Sequence, residues 1–153
     1  MRGLVLALAL VAAPFGAAAA ELIIQPPGGA AKVLTQTDLA GLSRESVKLG
    51  DKTYEGPILA YVLRAGGMPV GAKLHGDPLR AYAVVSGKDG FKAVYSLAEL
   101  DRDYHAGTVI LADRVDGAPL AGKETPWRLV LSEDKKAWRS VYGVTKIEAA
   151  IVP

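Results

Sequence analysis

Between Asp113 and Val144 (DRVDGAPLAGKETPWRLVLSEDKKAWRSVYGV) the chain collects side chains suited to holding a flat, polar, anionic small molecule. An apolar strand ends in Asp113 and Arg114, and Asp116-Gly117 makes a tight turn. A second strand spans Trp127 to Leu131, and a polar run carries Lys135, Lys136, Trp138 and Arg139. A carboxylate from Asp113 or Asp116 suits a row of ring N–H donors, and the guanidinium of Arg114 or Arg139 suits ring carbonyls or an oxyanion. Trp138 can cover the face of a heterocycle, with Arg139 beside it. The same residue types are also what a solvated ion-pair face with an edge tryptophan presents.

Other chemistries find less support. His75 and His105 are far apart, and no His or acidic pair has the spacing of a helical zinc motif, so no metal is expected. Ser86, Ser96, Ser132 and Ser140 stand in turn, cap or loop contexts and none lies in a G-x-S-x-G elbow, so no catalytic nucleophile is assigned. Gly66-Gly67 lacks a phosphate-loop pattern and ends a helix. Among the tyrosines, Tyr104 has the strongest functional claim, together with His105, because both occupy a polar loop where a pocket wall could lie. Tyr54, Tyr82, Tyr95 and Tyr142 read as rim residues with a buried ring and a wet hydroxyl.

The elements that must position these residues are short. Glu21–Ile24 reads as an edge strand and Val33–Thr35 as another extended segment. Thr35 or Thr37 caps a helix over Asp38–Leu42. Ser46–Leu49 and Lys52–Glu55 flank a Gly50-Asp51 hairpin. Gly56-Pro57 opens a helix whose apolar face is Ile58, Leu59, Val62 and Leu63, stopped by Gly66-Gly67. Ala81–Val85 and Phe91–Tyr95 form a hairpin, and Ser96-x-x-Glu99 is a capping-box pattern that places a short helix after it. Thr108–Ala112, Trp127–Leu131 and a half-exposed Val144–Ile151 complete the strands. Many short strands and few short helices imply an α+β domain with a mixed, mainly antiparallel sheet system.

Met1-Arg2, the apolar run Leu4–Ala13, the break at Pro14 and Gly16, and Ala18-Ala19-Ala20 read as a secretory signal over residues 1–20. Residues 21–153 then form one domain, expected in the periplasm. The 18 basic residues barely exceed the 16 acidic ones, so no field points to nucleic acid. There is no cysteine, hence no thiolate nucleophile or metal ligand.

Taken in order, YEGPIL (54–59), VLRAG (62–66), AVVSGKDG (83–90), SLAEL (96–100), LADR (111–114), DGAPL (116–120), PWRLV (126–130) and WRSV (138–141) resemble the molybdopterin-binding domain of the sulfite oxidase superfamily. The resemblance spans about residues 33–150. It implies a sulfite oxidase-type α+β fold and a pterin-shaped pocket built partly by the Asp113–Arg139 region. It also implies that catalytic members hold molybdenum through a cysteine between the early helix and the YEGP element. Here VKLGDKTY (47–54) runs through without one. The chain is most similar in kind to small exported members that bind a pterin and report to inner-membrane cyclic-di-GMP enzymes. The expectation is therefore a non-catalytic periplasmic pterin-binding protein. The alternative is a molybdopterin-dependent oxidoreductase, or a subunit of one serving a membrane redox partner, without a cysteine ligand.

Overall fold

The computed structural model describes residues 19–153, so the expected leader lies outside the described residues except for its last two positions. In chain order the elements are β1 (Glu21–Gln25), β2 (Lys32–Thr35), α1 (Gln36–Ala40), β3 (Arg44–Leu49), β4 (Lys52–Pro57), α2 (Leu59–Ala65), β5 (Ala81–Gly87), β6 (Lys92–Ser96), β7 (Val109–Ala112), β8 (Arg114–Val115), β9 (Ala118–Pro119), β10 (Arg128–Leu131) and β11 (Val144–Ile151), with one-turn 3-10 segments between several of them. They form a five-stranded sheet in the order β2-β1-β11-β5-β6, a two-stranded sheet β10-β7 and a four-stranded sheet β3-β4-β8-β9.

Strand periodicity explains the layering, because successive side chains point to opposite faces. Leu22 and Ile24 of β1, Ala83 and Val85 of β5, and Ala93 and Tyr95 of β6 all turn into one core with Leu59, Val62 and Leu63 of α2. In β11 both Val144 and Ile147 are buried, which strict alternation forbids. A register shift between Val144 and Lys146 supplies the extra residue and restores the apolar face. The β10-β7 pair lies between two cores: Val109, Leu111, Leu129 and Leu131 face the main one. Ile110, Ala112 and Val130 face a second, smaller one that includes Val47 and Tyr54.

Several sequence expectations shift. β1 is not an edge strand, because β11 from the far end of the chain pairs beside it in parallel, Ile23 opposite Lys146, while β2 takes its other side. The first helix begins at Gln36, two residues early. Thr35 Oγ1 accepts from Asp38 N at 3.3 Å while Thr35 N donates to the Asp38 carboxylate at 2.7 Å. The Thr35 N–H, and the Thr35 hydroxyl donating to the same carboxylate at 2.8 Å, hold the Asp38 carboxyl below its ordinary range. Pro57 does not open α2, because β3–β4 pairing persists to Arg44 opposite Pro57 and Ile58 N donates to Ser43 O at 2.9 Å. After β6 only one 3-10 turn forms, Ala98–Leu100. Ser96 Oγ accepts from Glu99 N at 3.1 Å, but the Glu99 carboxylate, instead of closing the capping box, binds Arg139.

Gly56 shows how tightly the sheets meet. A Cβ there would lie 2.3 Å from Leu111 O and 2.6 Å from Ala112 Cα, both rigid backbone of β7. Gly56→Ala is therefore expected to lower stability by roughly 1–3 kcal/mol through overpacking. A urea unfolding midpoint unchanged from wild type would show that β4 and β7 separate freely.

Candidate functional site

β10 reads Arg-Leu-Val-Leu and every residue in it is buried. Alternation puts Arg128 on the Val130 side, toward the smaller core, with Ala112 as its cross-strand neighbour. A charge at 4 % exposure must be compensated, since burying an unpaired guanidinium is costly. Arg128 Nε donates to Ser140 Oγ at 2.8 Å, and Nη1 donates to Glu124 Oε1 at 2.6 Å and to the Tyr54 hydroxyl. Tyr54 in turn donates to Glu124 at 3.1 Å. The guanidinium also packs on aromatic rings, 4.6 Å from the Tyr54 centroid and 4.2 Å from that of Tyr142. Nη2 has no hydrogen-bond partner among the described residues.

This group forms the wall of an open cleft of about 660 Å3. The β3–β4 turn contributes Gly50, Asp51 and Lys52, the loop before β10 contributes Lys123 and Glu124, and the far rim carries Lys135 and Tyr142. Glu124 is neutralised by Arg128, whereas Lys52, Lys123 and Lys135 form no ion pair among the described residues. Lys123 Nζ instead sits 4.6 Å from the Tyr142 centroid. The cleft is thus a cationic hollow with a tyrosine ring on its wall. It can receive an oxyanion among the ammonium groups, and a planar ring on Tyr142 where the flexible Lys123 side chain now sits, once that side chain swings aside. Burial, opposed by Arg128 and aided by Glu124, pushes the Tyr54 phenol up to about 12, so it stays a hydrogen-bond donor.

The residues singled out from sequence do not converge. Asp113 is held by Arg44 through two bonds of 2.9 and 2.5 Å, and with Arg114 it lines a separate shallow depression beside Gln36 and Pro119. Arg114 also donates to Gly117 O. Asp116, at φ 49°, accepts from Thr53 N at 2.9 Å and shapes the β8–β9 turn. Trp138 and Arg139 line a second depression that shares Lys135 with the cleft. Arg139 is gripped by Asp134 at 2.8 Å and Glu99 at 2.5 Å, which raise its pKa further, and it lies 4.9 Å from the Tyr95 centroid. Tyr104 donates to Leu74 O, and His105 Nε2 meets Glu133 at 3.1 Å while its buried Nδ1 has no partner among the described residues. Their loop is tied down by Asp101 O, which accepts from both Tyr104 N and His105 N.

Arg128, Tyr54, Tyr142, Glu124, Lys123 and Lys52 were not among the expected site residues. One signal was available: an arginine inside the otherwise apolar run Trp127–Leu131 demands compensation wherever that strand is buried. The partners answering that demand come from β4, the loop before β10 and the segment before β11, and no local pattern joins them. Among the described residues no cluster of His, Cys, Asp and Glu is arranged to hold a metal, and no helix is long and apolar enough to cross a membrane.

Two measurements probe the Arg128 network. Tyr54 has a folded pKa above its ordinary 10, so its contribution to stability is complete below pH 10 and is lost as pH rises through about 12. Denaturation profiles at rising pH should fall more steeply for wild type than for Tyr54→Phe; parallel profiles would show that Tyr54 ionises normally. Arg128→Ala strands the Glu124 charge and should cost roughly 3–5 kcal/mol, read as a lowered unfolding midpoint.

No protein-family model matches the chain, and no curated protein does. Among solved structures it is similar to the sulfane dehydrogenase SoxCD from Paracoccus pantotrophus, with a TM-score of 0.65 at 17% identity, over 86% of this chain and 38% of that one. The likeness lies in the fold, and the chain spans well under half the length of that neighbour. The α+β architecture, with mainly antiparallel sheets and few short helices, is the sulfite oxidase-type fold that the motif order implied.

Proposed function

We propose that the protein binds a pterin without transforming it, in the cleft walled by Arg128, Tyr54 and Tyr142. The observation carrying this reading is the buried guanidinium whose Nη2 has no hydrogen-bond partner among the described residues, beside an aromatic ring and among lysines that form no ion pair there. About 660 Å3 is ample for a bicyclic ring and a tail. The Tyr142 ring supplies a stacking surface, Asp51 an acceptor for ring N–H groups, Arg128 a donor to a ring carbonyl, and Lys52, Lys123 and Lys135 positive charge for an oxyanion tail. With the leader over residues 1–20, binding would take place in the periplasm. Occupancy could then be reported to an inner-membrane partner such as a cyclic-di-GMP enzyme.

The second reading, a molybdopterin-dependent oxidoreductase or a subunit of one, draws on the fold shared with a sulfane dehydrogenase. The same residues fit molybdopterin, which is a pterin with a phosphorylated tail, and Lys52, Lys123 and Lys135 would hold that tail. Bound there, it would supply a dithiolene for molybdenum. The chain itself has no cysteine to add as a ligand.

Calorimetric titration of the purified protein with oxidised and reduced pterins tests the first reading. Saturable binding is expected, weakened at least about tenfold by Tyr142→Leu and by Lys123→Glu, a loss of about 1.4 kcal/mol each. Trp138→Ala should leave it unchanged, since that ring stands outside the cleft. Failure of every pterin to bind ends the reading, and wild-type affinity in Tyr142→Leu removes the cleft from it. Molybdenum co-purifying in stoichiometric amount from a molybdopterin-producing host would favour the second.

A further inference from the structure

Trp138 is 79 % exposed, the most exposed of the large hydrophobic side chains among the described residues. An indole left in water is unfavourable, and here the exposure is built in. Ala137–Arg139 is a single 3-10 turn whose following residue, Ser140, is buried and donates to Leu129 O at 2.5 Å. Arg139 clamps the same turn from the other side through Asp134, Glu99 and the Tyr95 ring, and its carbonyl accepts from the Tyr95 hydroxyl. The loop is thus tethered at both flanks of the indole, which is presented outward instead of folding onto the core.

The surroundings define the chemistry of what could cover it. Asp134 and Glu99, the acidic groups of this patch, are both consumed by Arg139. Lys135 and Lys136 form no ion pair among the described residues, and Lys136 Nζ rests 4.5 Å from the Trp138 centroid. What remains is an apolar ring flanked by two uncompensated cations over a depression of about 420 Å3.

We propose that this patch docks an acidic segment of a partner protein, with an apolar side chain seated on Trp138 and carboxylates on Lys135 and Lys136. Tryptophan is the residue type most enriched at interface hot spots, and a pre-ordered anchor lowers the ordering cost of binding. One indole and two lysines are too few for a stable bilayer anchor, which draws on a broad apolar face and several cations. Charge complementarity therefore selects a short acidic protein segment. Because Lys135 also lines the Arg128 cleft, the patch adjoins the ligand site and shares a cation with it.

The probe is a fluorescein-labelled peptide of alternating glutamate and leucine, titrated by anisotropy against the purified, pterin-free protein, so the outcome does not depend on the ligand reading. Saturable binding is expected, with a blue shift of Trp138 emission. Trp138→Ala and the double variant Lys135→Glu/Lys136→Glu should each weaken it at least about tenfold. All three positions are exposed, so circular dichroism should show native folding in both variants. Absence of saturable binding overturns the proposal, as does unchanged affinity in either variant. So does sedimentation with phosphatidylglycerol vesicles in preference to the peptide, which would make the occupant a membrane. Concentration-dependent dimerisation abolished by Trp138→Ala would overturn it in favour of a second copy of this chain.

Discussion

A guanidinium almost sealed inside a β-sheet protein must be compensated, and the arrangement around Arg128 follows from that demand. Its nitrogens reach a hydroxyl from beyond β10, a carboxylate from the loop before β10 and a phenol from β4, while two tyrosine rings cover its faces. Taking away one partner leaves another buried and unmatched, so the elements carrying them are bound to one geometry. Since Arg128 and Glu124 cancel, the charge left at the cleft is that of Lys52, Lys123 and Lys135 against the single carboxylate of Asp51, and it is positive. The network thereby gives the hollow both its rigidity and its sign.

Arg139 plays the corresponding part at the surface. It is exposed enough for water to screen its ion pairs, so their energetic value is modest. Their effect is positional: Asp134 and Glu99 come from different segments, and joining them through one planar cation fixes the turn that carries Trp138. The two arginines differ in consequence because they differ in burial. One organises a core and leaves a ligand-sized hollow, and the other organises a loop and leaves an indole in solvent.

The fold was largely legible in the sequence. Leu22 and Ile24, Ala83 and Val85, and Ala93 and Tyr95 show period-two burial, and each lies in a strand close to where the pattern put it. Errors arose where a distant segment overrode a local signal. β1 became interior because β11 returned beside it, Pro57 stayed in β4 because β3 paired to its end, and Glu99 left its capping box for Arg139. The candidate site was less legible. Asp113 and Arg114 have the right chemistry, but the chain spends them on Arg44 and on the backbone of a turn.

The sequence alone determined the strand-rich α+β composition, the absence of any thiolate and the placement of cations and aromatics across residues 113–144, because these depend on residue type and short-range period. Tertiary structure alone decided which of those groups meet. Arg128 and Tyr54 are 74 residues apart, and only the packing of β4 against β7, with β10 paired beside β7, brings phenol and guanidinium together. A side chain's type fixes what it can bond to, whereas its partner is chosen by backbone pairings that close over long loops, and those are written in no local pattern.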